Sequence, residues 1–288
     1  MSLNTVSKRF YNAMAFRLNR LTRAMHLRFT IRLNNKTFII PVFNTLGEVN
    51  VHLKEDWFFH LVKSLKLPAG TDIVDIGLNV GQSMLAFRSL YDNPYWGFEP
   101  NPICVFYLEK LKEANRLQNV HILPVGLYSE STVVKLYINS EHDTAATIRS
   151  DLKPGLFQPQ NAKYIPVFSL EKLALGMKTI SLIKIDVEGA ELDVIAGMQE
   201  TIRQHQPLII CEILDYTATG SQEKEQQRAT ELVDRLKGLG YRMFRIKHRS
   251  DTDLTYEELS TLELKKWTQD SLYSNDYLFL PPNRTLPA

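Results

Sequence analysis

Cysteine is scarce in this sequence of 288 residues, which contains only Cys104 and Cys211. Neither residue belongs to a Cys-x-x-Cys pair or to a cluster of cysteine and histidine, so the usual zinc-site spacings are excluded. Cys104 falls in a predicted helix and Cys211 in a predicted strand, and we expect two packed thiols rather than a disulfide. Because so few cysteines suit a reducing compartment, we expect a cytoplasmic protein.

Long apolar runs are also missing. No window supplies the roughly 18 apolar residues that a membrane-spanning helix needs, and the first residues lack the uninterrupted apolar run of a signal peptide. We therefore expect neither a spanning helix nor secretion. With 44% hydrophobic and 23% charged residues, the composition is that of a globular chain that can bury a core.

Acidic residues are absent before Glu48, whereas the same stretch contains eight lysines and arginines. Apolar residues recur there every three or four positions from residue 6 to residue 27, which predicts a basic amphipathic helix. Two interpretations are open. The helix either caps the following domain with solvated arginines, which we favour, or it lies through residues 1–28 on a partner or on the anionic inner face of a membrane.

Strand-like and helix-like segments alternate after residue 72. A hairpin over residues 29–33 and 37–41 and a helix over 57–65 precede them. The predicted core strands are residues 73–76, 95–98, 120–123, 181–185 and 208–213. The predicted helices are residues 81–90, 105–117, 190–205 and 223–239. Extra strands are predicted at residues 132–138, 164–167, 241–246 and 277–280, the last two as an antiparallel terminal pair at one edge.

This alternation predicts an α/β fold with a doubly wound, mostly parallel sheet. We place a domain boundary near residue 50, with residues 1–50 as a helix and hairpin extension and residues 51–288 as the main domain.

The first core strand runs into a glycine turn that indicates a ligand site. Asp75 is followed by Gly77 and Gly81 at the opening of a helix. The spacing is G-x-x-x-G and not the G-x-G-x-x-G of dinucleotide sites, and an acid at this position suits a cationic ligand better than a pyrophosphate. The alternative is that Asp75 only caps the next helix or anchors the turn.

Three further acids end core strands, namely Glu99, Asp186 and Glu212. Ligands of open α/β sheets bind outside these strand ends, so we expect the three acids and Asp75 to face one crevice. Glu99 could accept hydrogen bonds from both hydroxyls of a ribose, although it could equally be a surface residue before a helix. Four carboxylates in one crevice would repel one another unless a cationic ligand or a cation lay among them.

Three motifs together resemble the FkbM-like family of S-adenosylmethionine-dependent methyltransferases. They are Asp75-Ile76-Gly77-Leu78-Asn79-Val80-Gly81, Gly97-Phe98-Glu99-Pro100-Asn101 and Ile185-Asp186-Val187-Glu188-Gly189-Ala190-Glu191. The resemblance covers residues 72–213, and residues 276–281 are similar to the last strand of the family. It implies a class I, Rossmann-like methyltransferase fold, S-adenosylmethionine as cofactor and, as in many members, methylation of sugar or polyketide hydroxyls.

The resemblance also implies roles for individual residues. Gly77, Asn79 and Gly81 would hold the methionine end of the cofactor, and Asp75 would orient its amino group directly or through water. Glu99, followed by Pro100, would bind the ribose, and Asp186 would lie nearest the reacting methyl group. The sequence departs from the family pattern at Leu78, at Pro124 and in the stretch 142–147.

The expected reaction is an in-line methyl transfer to a hydroxyl of a small molecule or glycan, in which alignment supplies most of the catalysis. Asp186, Glu188 or Glu212 could take the proton of the acceptor, with His142 as a weaker candidate. No ligand spacing demands a metal, and nucleic acid is not expected as a partner. We expect the loops after the strands and residues 128–165 to select the acceptor.

Three alternatives stay open at this point. The first is methylation of a nitrogen or a carboxylate. The second is a nicotinamide-dependent oxidoreductase, which the spacing of the glycine turn opposes. The third is a non-catalytic, membrane-associated binding protein, which only the basic N-terminal segment supports.

Overall fold

The computed structural model describes residues 27–43, 45–138, 146–151, 162–217, 221–248 and 250–286. The basic helix predicted over residues 6–27 lies outside these residues, except that Leu27 already belongs to the first strand. His142 lies outside them as well. None of the helices in the described ranges is long and apolar enough to cross a membrane.

The strands of the described residues form a hairpin, a large sheet and a small sheet. In chain order they are β1 (Leu27–Leu33), β2 (Lys36–Val42), β3 (Asp72–Ile76), β4 (Tyr95–Phe98), β5 (Val120–Leu123), β6 (Gly126–Leu127), β7 (Thr132–Leu136), β8 (Lys163–Phe168), β9 (Ile180–Ile185), β10 (Leu208–Glu212), β11 (Arg242–His248), β12 (Leu254–Leu259) and β13 (Asp276–Leu280). The helices are α1 (Glu48–Val51), α2 (Trp57–Ser64), α3 (Gln82–Leu90), α4 (Pro102–Asn115), α5 (Glu191–Ala196), α6 (Gln199–His205) and α7 (Gln222–Gly238).

The large sheet has eight strands in the described residues, in the order β12-β11-β13-β10-β9-β3-β4-β5. Strands β3, β4, β5, β9 and β10 are parallel, and β13 lies antiparallel between β10 and β11. The chain therefore starts at the centre of the sheet and winds outward in both directions, which places a crevice at the carboxyl ends of β3 and β9. The predicted α/β fold with a doubly wound, mostly parallel sheet is confirmed.

The two central strands are buried throughout, as expected for parallel strands covered on both faces. Successive side chains point to opposite faces, so Ile73 and Leu182 join one hydrophobic core while Val74 and Ile183 join the other. The same alternation decides which polar side chains of these strands meet, because residues in register on neighbouring strands share a face.

The hairpin β1–β2 packs against α4. The side chain of Asn115 accepts a hydrogen bond from the Ile39 N–H at 2.7 Å and donates one to the Ile39 carbonyl at 2.7 Å. Buried Leu33 and Ile40 of the hairpin join the same core as the helices that cover β3. The boundary near residue 50 stays a prediction about independent folding units.

The single helix predicted over residues 190–205 is wrong, because the chain forms two helices, α5 and α6, with Gly197 between them. A Cβ atom at Gly197 would lie 1.8 Å from the carbonyl oxygen of Tyr128, and the Ser169 hydroxyl donates a hydrogen bond to the Gly197 carbonyl at 2.8 Å. The helix is thus interrupted at a poor helix former, and the close approach of the Tyr128 backbone leaves no room for a side chain there.

Two strands were not predicted. Strand β6 has two residues and joins the predicted β7 and β8 in a separate sheet of order β6-β8-β7. Strand β12 (sequence LTYEEL) is the outer edge of the large sheet, where its charged residues are exposed. The predicted terminal strands β11 and β13 do pair antiparallel, but they lie inside that edge.

Candidate active site

The turn after β3 brings the backbone of β3 against the end of β9. Gly77 has φ 86°, and a Cβ atom there would lie 1.8 Å from the Asp186 carbonyl oxygen. Asn79 follows with φ 51°, in the left-handed region that asparagine tolerates better than most residues. Gly81, with φ 83°, precedes the first residue of α3. The G-x-N-x-G pattern is therefore required by this backbone path.

Leu78, one of the departures from the family pattern, has a structural explanation. Its side chain is buried and fills the space beside Gly97, where a Cβ atom would lie 2.3 Å from a Leu78 methyl carbon. A large residue fits in the turn because β4 carries a glycine opposite it.

Glu99 ties the glycine turn to the end of β4. One of its carboxylate oxygens accepts the Asn79 N–H at 2.8 Å, and the other accepts the Asn101 N–H at 2.8 Å. Burial raises the pKa of Glu99 to about 7, although the two amide hydrogen bonds favour its ionised form. A carboxylate held in this way keeps its remaining lone pairs for a ligand in the crevice.

Asp75 requires a correction. Its side chain is fully buried, accepts hydrogen bonds from the hydroxyls of Ser83 (2.6 Å) and Tyr95, and lines neither of the large cavities at the strand ends. Asp75 is in register with Lys184 on β9, so both side chains point into the sheet face beneath α3. The expectation that the Asp75 carboxylate faces the crevice is wrong, and its contact with a ligand through water stays a prediction.

Lys184 is the cation that sequence reasoning missed. Its Nζ atom lies 3.1 Å from Asp186 Oδ2 and 3.5 Å from Asp75 Oδ1, and it donates to the Gly77 carbonyl at 3.2 Å. Burial would lower the pKa of Lys184, but the charges of Asp186 and Asp75 outweigh burial and hold that pKa above its ordinary value. The available signal was the single charged residue in the buried strand ISLIKI.

Asp186 and Glu212 form a carboxyl pair at the ends of β9 and β10. Their side chains are in hydrogen-bonding contact, which requires one proton between them. Partial burial acts to raise the pKa of Asp186, but Lys184 outweighs it and holds that pKa below its ordinary value. Burial and the charge of Asp186 raise the pKa of Glu212 well above its ordinary value. The proton therefore belongs to Glu212, and Asp186 is ionised.

Asp276 adds a carboxyl that sequence reasoning did not select. It lies in register opposite Glu212 on the antiparallel strand β13. Burial and the charge of Asp186 raise its pKa to about 7. The negative charge of the carboxyl groups at the rim is thus compensated partly by Lys184 and by bound protons, and not by a ligand alone.

The turn from Asp186 to Glu191 is fixed from two sides. The Thr147 hydroxyl donates to the Glu188 carbonyl at 2.7 Å, and the Gly189 N–H donates to the Glu191 carboxylate at 2.7 Å. Arg149 forms a two-pronged ion pair with Glu225 of α7 at 2.6 and 2.9 Å. This buried pair, between residues far apart in the sequence, gave no sequence signal.

Two large cavities flank the strand ends, each about 880 Å³ with part of that space open to solvent. The first cavity lies between the end of β4 and the small sheet, and the second lies between α2, α3 and the ends of β9 and β10. They meet at a shared rim, whose lining residues are Gly77, Asn79, Asp186 and Glu212.

The structure thus brings most of the predicted site residues together. Glu99, Pro100 and Glu188 line the first cavity, in addition to the residues of the shared rim. Gly81 lines neither cavity and lies instead against Leu108 of α4, where it allows α3 and α4 to approach. Among the residues that the structure describes, no group of three or more His, Cys, Asp and Glu side chains is arranged to hold a metal.

A doubly wound sheet with the antiparallel strand β13 inserted between β10 and β11, a glycine turn after β3 and an acid at the end of the neighbouring strand are the features of a class I methyltransferase. The family model of the methyltransferase FkbM domain matches residues 75–243, more than half of the chain. The chain belongs to the FkbM methyltransferase family, and S-adenosylmethionine is its cofactor. The alternatives of a nicotinamide-dependent oxidoreductase and of a non-catalytic binding protein are therefore set aside.

Two curated relatives are methyltransferases. Methyltransferase sdnD of Sordaria araneosa is 27% identical over 178 residues, which cover 51% of this chain and 68% of that protein. Methyltransferase 1 of Beauveria bassiana (strain ARSEF 2860) is 26% identical over 151 residues, which cover 46% of this chain and 60% of that protein. The chain thus spans about two thirds of these relatives or less.

Solved structures with a similar fold include methyltransferase FkbM from Methylobacillus flagellatus KT. It is 15% identical with a TM-score of 0.46, and the match covers 73% of this chain and 43% of that chain. Aeropyrum pernix fibrillarin in complex with natively bound S-adenosylmethionine is 12% identical with a TM-score of 0.44, and the match covers 88% of this chain and 81% of that chain.

Proposed function

We propose that this chain transfers a methyl group from S-adenosylmethionine to a hydroxyl oxygen of a sugar, glycan or related small molecule. The observation that carries the proposal is the position of Glu99, whose carboxylate lies in the first cavity, bonded to the backbone of the glycine turn. This arrangement suits a ribose, because a carboxylate accepts hydrogen bonds from two neighbouring hydroxyls.

The residues of the first cavity and the shared rim fit the cofactor. Pro100 and Leu127 give apolar surface beside Glu99 for an adenine ring. The backbone of Gly77 and Asn79, free of side-chain obstruction at Gly77, accommodates the methionine end. Asp186, ionised at the rim, places a negative charge where a sulfonium would lie.

The reaction needs alignment and a proton acceptor. When bound, S-adenosylmethionine supplies a methyl group on a positively charged sulfur, and the S–CH₃ bond breaks with its electron pair remaining on sulfur. The chain would align the acceptor oxygen with that bond at the shared rim. Asp186 takes the hydroxyl proton as the new O–CH₃ bond forms. Among the predicted bases Asp186 is preferred, since Lys184 keeps it ionised while Glu212 holds a proton.

The test is methyl transfer from radiolabelled S-adenosylmethionine to cell fractions of glycans, lipids and small molecules, followed by identification of the methylated atom. We expect a methyl ether. Asp186→Asn should lower turnover by about 100-fold with little change in affinity for S-adenosylhomocysteine, which carries no sulfonium charge. Asp92→Asn, at an exposed carboxylate, is the control. A methyl ester or an N-methyl product would contradict the proposal.

Membrane contact through residues 1–28 is a separate proposal that depends on the six lysines and arginines of that segment. Cosedimentation with anionic vesicles, with and without those residues, tests it. Equal cosedimentation of the two proteins would contradict it.

A further inference from the structure

The second cavity differs in origin from the first. In the described part of the chain, the residues that line the first cavity fall between positions 76 and 212, within the range that the family model matches. Lining residues of the second cavity also come from outside that range, chiefly Leu53, Lys54, Asp56, Trp57 and Phe58, together with Asp276. Its outer wall is therefore built by segments that flank the family domain.

That outer wall is held rigidly. The indole of Trp57 stacks on the imidazole of His248 with ring centroids 4.3 Å apart and planes 8° from parallel. Tyr273 contacts the other edge of this pair, with centroids 5.4 Å from His248. Asp56 caps α2 by accepting the Phe59 N–H at 3.0 Å, which fixes the first turn that carries Trp57. An aromatic surface thus lies at the mouth of a cavity whose floor is the shared rim.

The charges of the second cavity disfavour an anion. Among the described residues, four carboxyl groups line it, those of Asp56, Asp186, Glu212 and Asp276, of which Glu212 holds a proton and Asp276 has a pKa raised to about 7. Two lysines also line it, but both already form ion pairs: Lys54 with Asp251, and Lys184 with Asp75 and Asp186. An anionic ligand would meet the charge of Asp186 and would have to displace an existing partner from a lysine.

We propose that the second cavity is the acceptor site and that it takes an uncharged hydroxyl compound with an apolar face, which packs against Trp57 and presents its hydroxyl to Asp186 at the shared rim. The inference rests on the proposed methyl transfer, and it moves acceptor selection from residues 128–165 to residues 53–58 and 276. Strands β7 and β8 of that earlier range contribute Leu136, Ile165 and Val167 to the first cavity instead.

The experiment uses the full chain saturated with S-adenosylhomocysteine and follows ligands by saturation-transfer NMR. The probes are three matched pairs in which a CH₂OH group is replaced by a carboxylate: benzyl alcohol and benzoate, cyclohexanemethanol and cyclohexanecarboxylate, and methyl glucoside and its uronate. We expect saturation of at least one alcohol and at least about tenfold weaker binding of its carboxylate partner.

Two variants locate the binding site. Trp57→Leu removes the aromatic surface and should weaken alcohol binding by about tenfold. Leu53→Trp fills the cavity and should have the same effect without removing a stacked ring. Both should leave the affinity for S-adenosylhomocysteine unchanged, which also shows that they fold. Phe106→Ala, at an exposed aromatic residue of α4, is the control and should change neither measurement.

The outcomes separate the two proposals. If S-adenosylhomocysteine does not bind the unaltered chain, the proposed function fails and this inference fails with it. If it binds and no alcohol gives saturation, or carboxylates bind as well as alcohols, only this inference is overturned. A parallel loss of S-adenosylhomocysteine affinity in both variants would show that the second cavity belongs to the cofactor.

Discussion

The two cavities share a rim but differ in how they are built. Among the residues that the structure describes, those lining the first cavity all belong to the family match, and the carboxylate of Glu99 is fixed there by two backbone amides. The second combines the same rim with an aromatic wall from the flanking segments. A motif in the sequence can therefore indicate the cofactor, whereas the acceptor depends on residues that the chain brings to the site only by folding.

Gly77 supports both cavities, so its substitution should have the largest effect. Gly77→Ala forces a Cβ atom against the Asp186 carbonyl at a positive φ, and we expect a loss of more than about 4 kcal/mol in the free energy of unfolding. Gly176→Ala is the matched control, since φ is 70° and no atom lies within 4 Å of its added Cβ. The control should lose only about 1 kcal/mol. Equal losses in urea denaturation would contradict the close approach.

Of the two cavities Lys184 lines the second, and it compensates the charges of Asp186 at the shared rim and of buried Asp75, which lines neither cavity. Lys184→Met leaves Asp75 and Asp186 without their cation, and we expect a loss of about 3 to 5 kcal/mol in the free energy of unfolding. Adding Asp75→Asn should restore part of that loss. The exposed Lys172→Met is the control. Additive effects of the Lys184 and Asp75 substitutions in the double variant would contradict the ion pair.

The pH dependence of the free energy of unfolding tests one carboxyl group from each cavity. Burial raises the pKa to about 7 for Glu99, which lines the first cavity, and for Asp276, which lines the second. The folded state binds these protons more tightly than the unfolded state. Their contribution to the free energy of unfolding is therefore complete below about pH 4 and is lost as the pH rises through about 7.

Glu99→Gln and Asp276→Asn should each flatten this fall in thermal unfolding followed between about pH 5 and pH 8. The change in the free energy of unfolding should be smaller than the one caused by Lys184→Met. If the fall stays equally steep in both variants, the two groups do not titrate in this range.

Much of the fold could be predicted from periodicity, because strands and helices alternate and the core strands are short apolar runs between turn residues. The positions of Glu99, Asp186 and Glu212 at one crevice followed from the rule that parallel strands end at the same edge. The division at Gly197 had a sequence signal in the glycine itself, but the close approach of the Tyr128 backbone, far away in the sequence, had none.

The prediction of the site was wrong at Asp75 and omitted Lys184. Strand ends were treated as equivalent, but Asp75 lies one residue before the end of β3 and shares a face with Ile73, in register with Lys184. Once the register of β3 and β9 is known, the side-chain alternation shows that Asp75 shares a face with Lys184. The register depends on pairing between residues more than 100 positions apart, which a single sequence does not show.

The most direct test of the central claim is calorimetric titration of S-adenosylmethionine into the unaltered chain and into Glu99→Gln. Hydrogen bonds to a charged group contribute about 1.5 to 3 kcal/mol, so the variant should bind about 10- to 100-fold more weakly. Glu113→Gln, at an exposed residue of α4, should bind like the unaltered chain. An unchanged dissociation constant in Glu99→Gln would contradict the placement of the cofactor in the first cavity.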